Sequence, residues 1–281
     1  MSGRFTAACL QTRSGVNPTD NIAAVADMVH AARDAGADFI MMPETVNMME
    51  PDRPQARAKA TVEADDPFLA AARDWARDTG AWILLGSIVV KSDGPPRDDG
   101  EIYLANRSLL INATGEIAAR YDKIHMFDVD LGGGEVYREA EAYRPGSDLV
   151  LADTPWGKLG ITICYDLRFP RLYRELAQAG ADFLSIPSAF TQPTGRAHWH
   201  VLMRARAIET GCFVFAPAQT GVHESGRKTY GHSLIVDPWG EVLADGEEAL
   251  GPVTADIDVG KVAAARTKMP SLQHDRDFGW D

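Results

Sequence analysis

The chain has 281 residues, of which 45% are hydrophobic and 24% charged, and its formal net charge is −12. These totals predict a globular protein that buries a sizeable core in one large domain or two small ones. Because strand signals resume directly after the loop at 91–101, we expect a single domain spanning residues 1–281. The acidic balance disfavours nucleic acid or an anionic membrane as a partner, because both bind basic faces.

The amino terminus and the cysteines favour a cytoplasmic protein. "MSGRFTAACLQTRSG" alternates like a strand and lacks the apolar core of a signal peptide. No apolar run of about 18 residues predicts a membrane span. Cys9, Cys164 and Cys212 are odd in number and far apart, so no disulfide framework is expected. Cys9 and Cys212 lie in apolar runs and are predicted to fill the core.

Apolar runs of strand length alternate with helical patterns along the chain. "FTAACLQT" predicts a first strand, and "NPTDNIAAVADMVHAARDAGAD" predicts an amphipathic helix whose N-cap is Thr19 or Asp20. "DFIMMPE" predicts a buried strand that ends at Glu44. "PFLAAARDWARDTG" and "AWILLGSIVV" predict a second helix and a further strand.

Hairpin turns and a repeated segment indicate the architecture. "INATGEI", "DTPWGKL" and "VDPWGEV" each predict a hairpin turn. "AGADFIMMPE" at 35–44 and "AGADFLSIPS" at 179–188 share one plan, in which a helix end and a glycine precede a buried strand and a proline. This echo predicts an α/β fold with two similar halves, each a sheet covered by helices on one side.

The segment "GKLGITICYDLRFP" at 157–170 places a cysteine where an apolar strand ends. A free cysteine in such a position ordinarily fills the core. After Cys164, however, the polarity reverses and a helical pattern begins near Pro170. A strand-to-helix elbow can expose a nucleophile beside free backbone N–H groups. Such a thiol needs a partner that lowers its pKa or accepts its proton.

Two charged residues are candidate partners for this thiol. Glu44 is either a solvated strand end or, if buried with a raised pKa, a general base. Lys123 follows a predicted strand and precedes a long glycine-rich segment, so it is either surface charge or an oxyanion donor. The histidines show no HExxH or zinc-type spacing, and no phosphate-binding loop is present, so no metal or phosphate site is expected.

Three motifs in this order resemble the nitrilase superfamily of carbon–nitrogen hydrolases. They are "MMPETVNM", "RYDKIHMFD" and "GITICYDLRFP", and the resemblance extends over nearly the whole chain. It implies a four-layer αββα sandwich of the nitrilase type. It also implies a catalytic set of Glu44, Lys123 and Cys164, which forms and hydrolyses a thioester without a cofactor.

The resemblance further implies a second glutamate that orients the lysine. "REAEAYRPG" offers Glu139 and Glu141, and spacing to the Pro-Gly pair favours Glu139. The ammonium of Lys123 and the backbone N–H of Tyr165 are the expected oxyanion donors.

Other residues near the motifs are candidates for the substrate pocket. Arg168 is expected either to hold a substrate carboxylate or to be structural, as an ion pair with Asp166 or a charge at a helix end. Phe190 and His198 follow the second buried strand and are further pocket candidates. His232 is expected to support a strand or turn.

The carboxy-terminal half most resembles the Nit branch. "GRAHWHVLMRARAIET" and "YGHSLIVDPWGEVLA" resemble the Nit1-type amidases, which cleave deaminated glutathione into 2-oxoglutarate and cysteinylglycine. An ω-amidase acting on 2-oxoglutaramate, a carbamoyl hydrolase and a nitrilase remain alternatives. The resemblance implies a small amide as substrate and pairing of the sandwich into a homodimer or a higher homo-oligomer.

Two rival hypotheses differ in chemistry. In the first, the protein is a Cys-His hydrolase or transferase with His125, His198 or His232 as base. In the second, it is a non-catalytic binding or scaffold protein with Cys164 in its core.

Overall fold

Alternation along the central strands places apolar side chains on both faces of each sheet. The computed structural model describes residues 3–280. In the first strand, Ala7 and Cys9 face the centre of the molecule, whereas Ala8 and Leu10 face a layer of helices. Both faces are therefore covered, which explains why the central strands are almost wholly apolar.

Strands and helices follow one another over the whole described chain. The strands are β1 (Arg4–Gln11), β2 (Phe39–Met41), β3 (Trp82–Lys91), β4 (Leu104–Ile111), β5 (Ile117–Asp122), β6 (Asp128–Asp130), β7 (Val136–Arg138), β8 (Val150–Thr154), β9 (Gly157–Ile161), β10 (Phe183–Ser185), β11 (Phe213–Ala216), β12 (Thr220–Val222), β13 (Lys228–Tyr230), β14 (Leu234–Val236), β15 (Val242–Asp245) and β16 (Gly251–Asp258). The helices are α1 (Pro18–Asp34), α2 (Arg53–Lys59), α3 (Pro67–Thr79), α4 (Pro170–Gln178), α5 (Gln192–Thr210) and α6 (Gly260–Lys268).

Two six-stranded sheets form the middle layers of an αββα sandwich. The first has the order β16-β1-β2-β3-β4-β5 and the second β15-β14-β11-β10-β9-β8. In each, three parallel strands are flanked by antiparallel ones. Helices α1 and α3 cover the first sheet, and α4 and α5 cover the second. The predicted fold class is therefore confirmed.

Aromatic rings fill the space between the two sheets. The Phe5 ring stacks on Trp156 with centroids 4.4 Å apart and meets Phe183 edge-on at 5.6 Å. The Phe39 ring approaches Phe215 at 6.2 Å. These contacts join the two sheets. Offset and edge-on aromatic pairs stabilise a core beyond the contribution of the apolar area that they bury.

The two echoed segments occupy corresponding places in the two sheets. Strand β2 lies between β1 and β3, and β10 lies between β9 and β11, in each case with parallel neighbours. Each strand is followed by a proline and a polar residue, Glu44 in one half and Ser188 in the other. The three predicted hairpins are also present, as β4–β5, β8–β9 and β14–β15.

The predicted N-cap of the first helix is wrong by two or three residues. Asn17 is the N-cap, and its side-chain oxygen accepts a hydrogen bond from the backbone N–H of Thr19 at 3.1 Å. Pro18 occupies the first helical position, where a missing N–H costs nothing.

The apolar side chains of Cys9 and Cys212 are fully buried, as predicted for core residues. Neither forms a disulfide, and Cys164 is free as well. None of the helices within residues 3–280 combines the length and apolar character that crossing a bilayer requires.

Candidate active site

The ends of three strands bring a carboxylate, an ammonium and a thiol to one cavity. Glu44 lies just beyond β2, Lys123 directly follows β5, and Cys164 begins a short 3-10 turn, Cys164–Arg168, beyond β9. All three line a cavity of about 810 Å³. Functional side chains often lie in such loops, because the rigid sheet holds the loops in position while their residues take no part in its hydrogen-bonded ladder.

Glycine at position 86 lets the two halves of the sandwich approach each other at this point. A Cβ atom on Gly86 would lie 1.8 Å from the carbonyl oxygen of Met42 and 2.4 Å from Cβ of Pro187. The chain segments that follow β2 and β10 therefore meet across β3. As a result, the backbone N–H of Ala189 reaches Oε2 of Glu44 at 2.9 Å.

The ammonium of Lys123 lies between two carboxylates. Its Nζ donates to Oε1 of Glu44 at 2.9 Å and to Oε2 of Glu139 at 2.8 Å. Its side chain is only 2% exposed. The amide Nδ2 of Asn106 donates to the same two carboxylates, at 3.0 and 3.1 Å. Glu141 instead pairs with Arg53 on the surface, so the structure places Glu139, and not Glu141, beside the lysine.

The pKa values in this network follow from burial and mutual attraction. Burial acts to raise the pKa of the Glu44 carboxyl, but the Lys123 ammonium outweighs burial and holds that pKa below its usual range. The expected raised pKa of Glu44 is therefore wrong for the free site. Burial acts to lower the pKa of Lys123, but Glu139 and Glu44 together raise it well above its ordinary value.

The Cys164 thiol is held neutral. The sequence suggested that the elbow exposes this side chain to solvent, but Cys164 is only 7% exposed. Burial and the adjacent Glu44 carboxylate raise its pKa. A neutral thiol beside a carboxylate can pass its proton to that carboxylate as it attacks, so the base and the nucleophile act together.

Asp166 fixes the elbow that carries the thiol. Its Oδ2 accepts from the backbone N–H of Ile163 at 2.9 Å and from the hydroxyl of Tyr121 at 2.7 Å. Its Oδ1 accepts from the backbone N–H of His125 at 3.0 Å. Arg168 does not share this carboxylate, so the alternative ion pair with Asp166 is wrong.

The pocket candidates are only partly brought together. Tyr165, Arg168 and Phe190 line the cavity, and the Arg168 guanidinium lies 5.3 Å from the Phe190 ring centroid. The backbone N–H of Tyr165 is in the first turn after Cys164, where N–H groups have no acceptor within the helix. His198 does not line the cavity, because it lies on the exposed side of α5. Its Nδ1 is 3.3 Å from Nη1 of Arg168.

The histidines proposed as alternative bases all have other partners. Nδ1 of His125 lies 2.7 Å from Asp166, and Nδ1 of His232 lies 2.9 Å from Asp245. His198 contacts Arg168. The site geometry therefore favours a carboxylate, and not an imidazole, as the partner of the cysteine.

Sequence reasoning missed two groups that hold Glu44. Asn106 is a polar residue within the apolar strand "LANRSLLI", and this break in the pattern could have identified it. The backbone N–H of Ala189 left no signal, because any residue supplies one.

One cluster of metal-ligand types lies away from the cavity. His200, His232 and Asp245 place their ligand atoms within 4.8 Å of one another. Nε2 of His200 and Nδ1 of His232 each lie 2.9 Å from the Asp245 carboxylate. These contacts join α5 to the β14–β15 hairpin, as expected for a histidine that supports a turn. The three residues are far apart in sequence, so no motif predicts the cluster.

Comparison with known proteins gives one consistent result. The model of the carbon–nitrogen hydrolase family matches residues 6–267. The chain is similar to a deaminated glutathione amidase of Yersinia enterocolitica, with 41% identity over 96% of this chain and 92% of the relative. A deaminated glutathione amidase of Mus musculus is 38% identical over 96% of this chain and 82% of its own length.

The structural comparison agrees. The crystal structure of the C. elegans NitFhit protein superposes with a TM-score of 0.88 at 35% identity, and it covers 98% of this chain and 65% of that one.

Replacing Lys123 by methionine tests the charge network through stability. In the wild type, the pKa of Glu44 is lower in the folded protein than in the unfolded chain, so this carboxylate stabilises the fold at pH values above its ordinary pKa. That stabilisation is lost as the pH falls through the pKa of the folded state. Without the ammonium, burial alone raises that pKa. The loss of folding stability caused by the substitution is therefore greatest at neutral pH and declines as the carboxyls become protonated. We expect a loss of about 3–5 kcal/mol near pH 7 and a smaller loss near pH 5, measured by urea unfolding.

Arg171→Met is the matched control, because Arg171 pairs with Glu175 on α4 and the two side chains are 91% and 50% exposed. It should cost at most about 1 kcal/mol. A Lys123→Met penalty that is equal at both pH values would contradict the network.

Proposed function

Because the chain belongs to the carbon–nitrogen hydrolase family, we propose that it hydrolyses the amide of deaminated glutathione to 2-oxoglutarate and cysteinylglycine. Membership makes it a C–N hydrolase that acts on amides. The observation that carries the proposal is the Glu44 carboxylate, which accepts a hydrogen bond from the Lys123 ammonium and lies beside the Cys164 thiol inside a cavity.

The substrate class is supported by the relatives and by the charge of the cavity. The two relatives described above bear the name deaminated glutathione amidase. Although the whole chain is acidic, seven cationic side chains line the cavity. They are Arg53, Lys123, Arg138, Arg168, Arg196, Arg227 and Lys228. A local cationic lining attracts a substrate with two carboxylates in spite of the overall charge, because distant charges are screened by salt.

Acylation begins with proton transfer from Cys164 to Glu44. The sulfur attacks the amide carbon at the same time and forms a tetrahedral intermediate. The Lys123 ammonium and the Tyr165 N–H stabilise its negatively charged oxygen. Collapse of the intermediate breaks the C–N bond, the departing amine takes the proton from Glu44, and the acyl group stays on sulfur as a thioester.

Deacylation uses the same groups. Glu44 removes a proton from a water molecule, which attacks the thioester carbon, and the proton then returns to the sulfur as 2-oxoglutarate leaves. Glu139 keeps the ammonium of Lys123 in place throughout. No cofactor enters this sequence, because the nucleophile, the base and the oxyanion donors are all protein groups.

Acid quenching during turnover tests this mechanism. We expect wild type with deaminated glutathione to release cysteinylglycine and to carry a 2-oxoglutaryl group on the peptide containing Cys164, detected by mass spectrometry. Glu44→Gln removes the base and should slow adduct formation by about 10²- to 10⁴-fold. Glu175→Gln is the matched control, because Glu175 pairs with the exposed Arg171 on α4, neither residue lines the cavity, and the variant should behave as wild type.

Other outcomes would identify the rivals. Release of ammonia from 2-oxoglutaramate without release of cysteinylglycine would indicate an ω-amidase. Normal adduct formation in Glu44→Gln, together with loss in a histidine variant, would support a Cys-His enzyme. Slow alkylation of Cys164 and no hydrolysis of any amide would indicate a non-catalytic protein.

We also propose that two copies pair through the outer face of α5. Val201 and Ile208 lie two helical turns apart on α5 and are 68% and 52% exposed. Trp239, 58% exposed, belongs to the turn that packs beside Ile208 through Gly240. Contiguous exposed apolar side chains of this kind mark interaction sites, and the family resemblance implies a dimer.

Sedimentation tests the pairing. Wild type should sediment as a dimer at micromolar concentration, whereas Ile208→Glu should shift to monomer because it buries a charge in the interface. Val222→Glu alters an equally exposed apolar residue on β12 and should remain dimeric. A monomeric wild type would contradict the proposal.

A further inference from the structure

A half-buried arginine lines the cavity without a carboxylate partner. Arg227 lies in the turn between β12 and β13. Its Nη2 donates to the carbonyl oxygen of Ala189 at 2.7 Å, and its guanidinium lies 5.5 Å from the ring centroid of Tyr137. Its Nε is buried without an acceptor. Within residues 3–280, no aspartate or glutamate forms an ion pair with it.

The two more deeply buried arginines, Arg107 and Arg206, do have acidic partners. Arg107 pairs with three carboxylates, the nearest being Asp122 at 2.7 Å, and Arg206 pairs with Glu209 at 2.8 Å. A guanidinium withdrawn from water is costly unless an anion completes its hydrogen bonds. At Arg227 the open cavity is where such an anion can come from, and carboxylates suit the guanidinium because they bind it in a bidentate manner.

The position of Arg227 relative to the base indicates which part of the substrate it meets. The backbone of Ala189 connects Arg227 with Glu44, because its N–H donates to Glu44 and its carbonyl oxygen accepts from Arg227. The electrostatic field of Arg227 also reaches Glu44. Glu44 must deliver a proton to the departing nitrogen, so the leaving group extends from the carbonyl carbon towards Glu44 and hence towards Arg227.

We propose that Arg227 binds the carboxylate of the leaving group, and that it thereby selects amides that release a short peptide over amides that release ammonia. The inference rests on the proposed function and deepens it. Cysteinylglycine ends in a carboxylate, whereas ammonia offers none. Arg168, which the sequence offered as a partner for a substrate carboxylate, is then left for the carboxylate of the acyl group.

The experiment combines one substitution with three substrates. Arg227→Met keeps an unbranched side chain against Tyr137 and removes the charge. The substrates are deaminated glutathione, its analogue with a carboxamide in place of the terminal carboxylate, and 2-oxoglutaramate. For deaminated glutathione we expect kcat/KM to fall by about 10- to 100-fold, the range typical of a charge-assisted hydrogen bond. For the other two substrates the fall should be less than about 3-fold.

Two further variants sharpen the comparison. Arg227→Lys keeps the charge but loses the bidentate geometry, and should lie between wild type and Arg227→Met. Arg77→Met removes an arginine that forms a surface ion pair with Asp74 on α3, and should leave all three substrates unaffected.

The outcomes separate this inference from the proposed function. An equal loss for all three substrates would show that Arg227 acts through Ala189 on Glu44, and no loss for deaminated glutathione would show that it binds no leaving group; either overturns the inference. If wild type fails to hydrolyse deaminated glutathione, the proposed function is wrong. The subsite is then judged by calorimetric titration of cysteinylglycine, which should bind Arg227→Met about 10-fold more weakly than wild type; equal affinity overturns it.

Discussion

The ammonium of Lys123, held between the carboxylates of Glu44 and Glu139, is the interaction on which the site depends. It keeps Glu44 ionised in a place where burial would otherwise favour the neutral acid. The ionised Glu44 in turn raises the pKa of Cys164 and keeps its thiol protonated until a substrate arrives. One buried cation therefore sets the charge states of both the base and the nucleophile. Burying such an ion pair costs desolvation energy, so the pair adds little net stability to the fold. We therefore assign its role to catalysis.

The fold supplies the precision that this network needs. Each half contributes the end of one central strand, and Gly86 allows these ends to meet without a side chain between them. The backbone is strained at two positions that line the cavity, since Thr45 and Cys164 adopt positive φ angles of 50° and 47°. Such conformations cost on the order of 1–3 kcal/mol each. They persist because hydrogen bonds fix the neighbouring backbone, including those that Asp166 accepts around the elbow.

The sequence predicted what local patterns encode. Alternation and turn residues gave the layered fold, and three motifs gave the residues that meet in the cavity. It misjudged quantities that depend on contacts between distant segments, such as the pKa of Glu44 and the outward position of His198. It could not indicate Ala189, whose contribution is a backbone N–H, or the missing partner of Arg227. Pairing and the cellular compartment stay predictions.

The protonation state of the resting thiol tests the central claim most directly. Thiolate absorbance in the ultraviolet can be followed from about pH 6 to 9, with Cys164→Ser subtracted to isolate this sulfur from Cys9 and Cys212. Because burial and the Glu44 carboxylate both raise its pKa, Cys164 should show no thiolate over this range. Replacement of Glu44 by glutamine should lower that pKa while slowing catalysis. A thiolate already present at neutral pH in the wild type would contradict a mechanism in which Glu44 takes the proton during attack.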